Sequence, residues 1–229
     1  MRVRSSRHGQ APIRHRIWAL AALSTAALMG LMAPGWAHPH VYVVATATVN
    51  IERGTIASIS HTWLFDEFYT AMALEGIAKN KEGGYGRAEL ADLTKVNIEG
   101  LKEFGYFTFA TLGKTELKVG EPKLAESWLE YTNGTLSLHF TVPLEKPVLM
   151  DAKGFAVIIT DPSYFIAFEL SEKDPPKLNA DAPKSCKLLV GVPAAETADQ
   201  KKLTGAFAEQ MAPATMGGAA KSIMVACAP

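Results

Sequence analysis

The chain has 229 residues, 48% hydrophobic and 20% charged, with 23 lysines and arginines against 23 aspartates and glutamates. Five arginines fall before residue 38 and no acid precedes Glu52, so residues 38–229 carry 18 bases and 23 acids, a net charge of −5 over 192 residues. Only Arg53 and Arg87 are arginines in that part, which argues against a nucleic-acid partner, because such a partner needs a basic, usually arginine-rich face.

The N-terminus reads as a secretory signal peptide over residues 1–37. Arg2, Arg4, Arg7, Arg14 and Arg16 come first. An apolar run follows from Ile17 to Met32, broken only by Ser24, Thr25 and Gly30. Pro34 and Gly35 then stop any helix, and Gly35 and Ala37 are the small residues a signal peptidase accepts. Cleavage after Ala37 leaves a periplasmic protein beginning His38-Pro39-His40. The alternative is an uncleaved anchor, since Ile17 to Trp36 is just long enough to span a bilayer. Residues 38–229 suit a single domain that buries a core without metal.

Strands come next. Val41, Val43, Ala45, Ala47, Val49 and Ile51 fall on one face of a strand, and Ile59, Trp63 and Phe65 on one face of a second strand over 55–65. The turn Glu52-Arg53-Gly54 joins them as a hairpin. The period then changes. Phe68, Ala71, Met72 and Glu75 at helical spacing predict a helix over 66–77, with Asp66 as its N-cap. Leu90, Leu93 and Leu101 predict another over 87–104. Strands resume at 106–112 and at 128–142, where Asn133-Gly134 marks a type I′ hairpin. Two more, 155–160 and 164–170, are expected to pair through Asp161-Pro162-Ser163. Residues 173–184 read as a polar, proline-rich linker or long loop. A strand over 187–192, a helix over 198–211 and a last strand over 223–226 complete the chain. The fold class is α+β: a β-sandwich-like core with an EF-hand-like helix–loop–helix insertion at about 66–104.

Chemistry-bearing residues are few. His38, as a new N-terminus, offers an amine and an imidazole, and His40 a second imidazole. Nitrogen donors suit nickel, cobalt, zinc or copper. Pro39 has no amide N–H, so a chelate through deprotonated backbone amides does not form. His139 lies on the polar face of its strand and is available to join them. His61 shares a face with Ile59 and Trp63, so it reads first as a hydrogen-bonded core residue and second as a ligand. The insertion contains a degenerate calcium loop counted from Ala78. Asn80 and Glu82 take the third and fifth positions, Gly83 the sixth and Glu89 the twelfth, but Ala78 supplies no oxygen at the first. Calcium binding is therefore expected to be weak or absent. Cys186 and Cys227 bracket the C-terminal segment and are expected to form a disulfide in an oxidising compartment. Metal-binding thiolates are the weaker alternative, because neither sits in a Cys-x-x-Cys spacing. No nucleophile elbow, Walker loop, dinucleotide fingerprint or His-Glu-x-x-His helix appears, so no enzyme is expected.

Several stretches together carry a resemblance: His38-Pro39-His40-Val41, His61 through Phe68, the calcium-like loop with Lys95-Val96-Asn97, Leu101 through Thr108, and Asp161 through Phe165. In this order they resemble the bacterial family called domain of unknown function 1007. The resemblance implies a periplasmic component of an uncharacterised ABC-type transport system, in company with nickel, cobalt or zinc transport. It therefore implies an accessory protein of transition-metal transport or homeostasis, with an inner-membrane metal transporter as partner. The family commonly has Asp at the first calcium-loop position, where this chain has Ala78. A non-catalytic interaction module without its own metal is the rival reading.

Overall fold

The alternation of apolar residues noted in the first strands is realised as a long antiparallel hairpin, β1 (Val41–Glu52) and β2 (Thr55–Phe65). Val43, Ala45, Ala47 and Val49 are wholly buried, as are Ile59 and Trp63 opposite them. The structure, a computed structural model, describes residues 40–193 and 221–228. The proposed leader, His38 and the helix expected over 198–211 lie outside the described residues. No helix among those described is long and apolar enough to cross a membrane.

The second hairpin joins β5 (Trp128–Thr132) to β6 (Thr135–Leu149). Asn133 and Gly134 take φ of 54° and 86°, as a type I′ turn requires. β6 runs on beyond Val142 and pairs with β2, burying Leu136, Leu138, Phe140 and Val142 against the same core. The first sheet is ordered β5-β6-β2-β1-β8, with β8 (Ile166–Leu170) and the short β9 (Lys177–Leu178) both parallel to β1. The second is ordered β10-β11-β7-β3-β4. Its strands are β3 (Thr108–Leu112), β4 (Thr115–Leu117), β7 (Phe155–Ile159), β10 (Cys186–Pro193) and β11 (Lys221–Cys227). One hydrophobic core draws on both sheets, with Trp63 and Phe140 from the first and Phe155, Val157 and Ile223 from the second. The result is a β-rich α+β fold.

One expectation about connections is corrected. β7 and β8 do not pair; they lie in different sheets. The Asp161-Pro162-Ser163 segment is a crossover held by the buried Asp161 carboxylate. Its Oδ1 accepts from the Ser163 amide (2.8 Å) and hydroxyl (2.7 Å), and its Oδ2 from the Ile166 amide (2.9 Å). The 173–184 stretch is a long loop tied down along β1. Thr46 Oγ1 donates to the Asp174 carbonyl, and the Asn179 side-chain amide both accepts from Ile51 N and donates to Ile51 O. The segment thus runs along β1 as added sheet edge.

The helices are shorter than the periodicity suggests. α1 (Glu67–Ala73) has the expected cap: Asp66 Oδ1 accepts from Tyr69 N at 2.7 Å, while Oδ2 accepts from Tyr42 N at 2.7 Å. Gly76, at φ 82°, lies just past its end. The stripe Phe68, Ala71, Met72, Glu75 faces outward, with Phe68 75% and Met72 54% exposed. Thr70 faces inward instead, because its hydroxyl accepts from the Leu136 amide where β6 begins. α2 (Ala91–Leu101) does the same through Thr94, which accepts from the Leu129 amide. A sheet-end amide needs an acceptor more than the core needs another apolar stripe.

A 3-10 stretch, Lys102–Phe107, follows α2. Gly105, Tyr106 and Phe107 have φ of 57°, 56° and 48°. Left-handed backbone at two aromatic residues delays β3 to Thr108, so the strand expected from Tyr106 starts two residues later. It also turns the Tyr106 carbonyl onto the Thr108 hydroxyl at 2.9 Å.

Candidate functional site

Strand register separates the candidate ligands. Thr46, Thr62 and His139 form one row across β1, β2 and β6. His40 lies six residues before Thr46, about 20 Å away along a strand at ~3.3 Å per residue. His61 is adjacent to that row but points to the other face. His40, His61 and His139 are therefore not brought together. Among the described residues no group of three or more His, Cys, Asp and Glu side chains converges as a metal site would require.

His40 is exposed where β1 begins. Its amide donates to the Phe165 carbonyl at 2.9 Å, and its ring lies 4.8 Å from that of Phe165. The backbone at this point is fixed, and His38 precedes it by two residues.

His61 is a core residue, as its strand face suggests. It is 2% exposed and stacks on Phe140 at 4.8 Å, with Trp63 edge-on at 5.8 Å. The Thr108 hydroxyl donates to the Tyr106 carbonyl, so its oxygen accepts from His61 Nε2–H at 3.2 Å. Nδ1 is then the bare nitrogen, and no donor among the described residues meets it. Burial pushes the imidazole pKa down to about 3. His61 is neutral at physiological pH and inaccessible to a metal ion arriving from solvent.

His139 has the richest surroundings. Its ring stacks on Trp128 at 4.7 Å and 8°. The Arg87 guanidinium lies 4.4 Å from the centroid of the same Trp128 ring. Thr62 Oγ1 is 3.2 Å from Nδ1, and Glu130 Oε2 is 3.3 Å from Nε2. The latter pair is within ion-pair range, but the two groups are not aligned as a hydrogen bond. Burial lowers the His139 pKa and Arg87 lowers it further, while Glu130 opposes both. The side chain is only 19% exposed, so it is less available than its place on the polar face implies. The hydroxyl–imidazole–carboxylate line Thr62–His139–Glu130 orients the ring. One imidazole and one carboxylate fall short of a metal site.

The loop after α1 uses its oxygens on itself. Asn80 Oδ1 accepts from the amides of Glu82 (3.0 Å) and Gly84 (2.9 Å), and Glu89 Oε2 accepts from Gly86 N at 2.8 Å. These are turn and cap contacts. The helix–loop–helix order is present, but α1 spans only seven residues and α2 starts two residues after Glu89. Cys186 and Cys227 stand opposite each other in the β10–β11 register and are joined as a disulfide.

Arg87, Trp128 and Glu130 do not stand out in the sequence. Their spacing carries no motif; only the β5–β6 register, which sets Trp128 against His139, brings them together.

A family model described as "Protein of unknown function (DUF1007)" matches residues 23–227. The chain belongs to the DUF1007 family. The match runs from Leu23, within the apolar run, through β11, so the family's common region includes both sheets. An uncharacterized protein of Haemophilus influenzae is 24% identical over 137 residues, covering 60% of this chain and 65% of that protein. This DUF1007 chain therefore spans somewhat less than two-thirds of that relative's length. Neither description names an activity.

Proposed function

We propose that this DUF1007 protein is a periplasmic accessory protein of transition-metal transport or homeostasis, binding nickel, cobalt, zinc or copper through His38 and His40. The observation that carries the reading is the placement of His40. It is exposed, its backbone is clamped by Phe165, and it sits at the mouth of β1, two residues after His38 in sequence. His61 and His139 are engaged elsewhere, so the N-terminal pair supplies the histidine donors. An oxidising, exported location is supported by the Cys186–Cys227 disulfide and by the basic, apolar, small order of residues 1–37. The partner is an inner-membrane metal transporter, to or from which the ion passes. The reading assigns no catalytic step. The Ala78–Glu89 loop is a connector with weak or no calcium affinity, because Ala78 offers no side-chain oxygen and Asn80 and Glu89 cap backbone amides. Electron paramagnetic resonance of the copper(II)-loaded protein, purified from the periplasm, tests the donor set. Nitrogen coupling lost in a His38→Ala, His40→Ala variant supports it, and an unchanged spectrum sinks it.

A second reading, a non-catalytic interaction module without its own metal, is favoured by one feature. Phe104, Tyr164 and Phe165 are 56%, 60% and 48% exposed, and all lie at the end of the two sheets where β1 starts and β7 stops. Such a cluster suits contact with a protein partner.

A further inference from the structure

β7 reads Phe155-Ala156-Val157-Ile158-Ile159, an unbroken apolar run of the kind found in strands covered on both faces. Ala110, Val157, Ile159 and Ile223 belong to the core between the two sheets. The residues that alternate with them therefore point away from it. Register sets these in two rows, Phe109–Ile158–Ser222 and Ala156–Met224–Leu189. None of the six is charged, and Phe109, Ile158, Met224 and Leu189 all stand apart from the cluster between the sheets. The first sheet is built the other way: its outer rows are Thr46–Thr62–His139 and Thr48–Ser60–Thr141.

Ile158 is 4% exposed and Ser222 1%, although both face outward. That burial arises within one chain, which favours a cover supplied by the chain itself over a second copy or a partner. The described helices α1 and α2 pack on β1, β5 and β6 of the first sheet. Pro193, which ends β10, and Lys221, which opens β11, are register partners. Residues 194–220 therefore leave and rejoin the second sheet at one place, beside Ser222. The helix expected over 198–211 belongs to this stretch. Leu203, Ala206, Phe207 and Met211 fall on one side of it, interrupted by Gln210, with Lys201, Lys202 and Glu209 opposite. Such a helix is about 21 Å long, against about 19 Å across five strands, so it is long enough to cover the face.

We infer that residues 198–211 pack as a helix on the outer face of the second sheet, with Leu203, Phe207 and Met211 over Phe109, Ile158 and Met224. The apolar rows then have their partner, and the second sheet lies between two apolar layers. His38 and His40 take no part in this packing, so the inference stands apart from the histidine site.

The test is photo-crosslinking of the purified protein with benzoylphenylalanine in place of Phe207, read by proteolysis and mass spectrometry. The cross-link is expected within one chain, to a peptide of β3, β7 or β11 that carries Phe109, Ile158 or Met224. A cross-link to the first sheet, a covalent dimer on a denaturing gel, or no cross-link at all would overturn the proposal. Hydroxyl-radical footprinting supplies a second reading on the natural chain. Met224 and Phe109 should be modified at least threefold more slowly there than in a Leu203→Asp, Phe207→Asp variant, because two buried charges would lift the helix from the sheet. Phe68 and Met72, exposed on α1, should react equally in both proteins, and Trp63 should stay protected in both, which shows that the two sheets remain packed. Equal modification of Met224 and Phe109 in the natural chain and this folded variant would also overturn the proposal.

Discussion

His61 and Thr108 join the two sheets: the imidazole Nε2–H of β2 donates to a hydroxyl of β3 that itself donates to the left-handed Tyr106 carbonyl. The bond is a polar clasp in an otherwise aromatic core. Its donor is an imidazole held neutral by burial, with a pKa pushed down to about 3.

That pKa fixes the sign of a pH effect. The folded-state value lies below the ordinary 6.5, so the unfolded chain takes up the proton first. His61's contribution to stability is full above pH 6.5, declines at about 1.4 kcal/mol per pH unit as pH falls toward 3, and levels off below that. His61→Phe keeps the stack on Phe140 and removes the titration. Urea unfolding of both proteins should show the natural chain losing about 2 kcal/mol relative to the variant between pH 7 and pH 5. Parallel stability curves would contradict the buried neutral imidazole.

Asp161 is the pivot on which the chain changes sheets. Asp161→Ala removes the buried carboxylate that accepts from the Ser163 and Ile166 amides in two part-buried hydrogen bonds. The cost should be about 3 kcal/mol, read as a lowered urea midpoint. Asp161→Asn, which retains one oxygen, should fall between. A shift under about 0.5 kcal/mol for alanine would show that the crossover holds without this carboxylate.

Cys186 and Cys227 are 41 residues apart in sequence. Closing a loop of that length should stabilise the fold by about 4 kcal/mol on the chain-entropy view. Reduction by dithiothreitol and the Cys186→Ser, Cys227→Ser variant should lower stability by similar amounts. A variant as stable as the oxidised chain would mean that the β10–β11 pairing holds this end unaided.

Calcium at 1 mM should leave the thermal midpoint where a chelator leaves it. A site with a Kd one hundredfold lower would add about 2.7 kcal/mol. Ala78→Asp supplies the missing first carboxylate and should introduce a calcium-dependent rise. A rise in the natural chain would show that Asn80 and Glu89 release their amides to bind the ion.

Much of the architecture is legible in the sequence because the strands bury one face. Val43 through Val49 and Leu136 through Val142 alternate cleanly, and Asn133-Gly134 has one good conformation. Other features depend on contacts that alternation does not record. Asp161-Pro162-Ser163 has the composition of a hairpin turn, and only the Asp161 contacts to Ser163 and Ile166 make it a crossover. The apolar stripe of α1 points outward because Thr70 is needed at the Leu136 amide. The histidines are visible as residue types, but their separation follows from register: one step along β2 turns Thr62 outward and His61 inward. The Arg87–Trp128–His139 stack leaves no sequence signal, because its members meet only across the β5–β6 pairing and a loop.

The sharpest test of a metal site at the N-terminal histidines is calorimetric titration of nickel(II) into the purified protein, its N-terminus established by mass spectrometry, at pH 7.5 and 5.5. One ion should bind at pH 7.5, weaken at pH 5.5 as imidazoles protonate, and be lost in the His38→Ala, His40→Ala variant but kept in His139→Ala. Equal nickel binding by the natural chain and the double variant would contradict a site at His38 and His40.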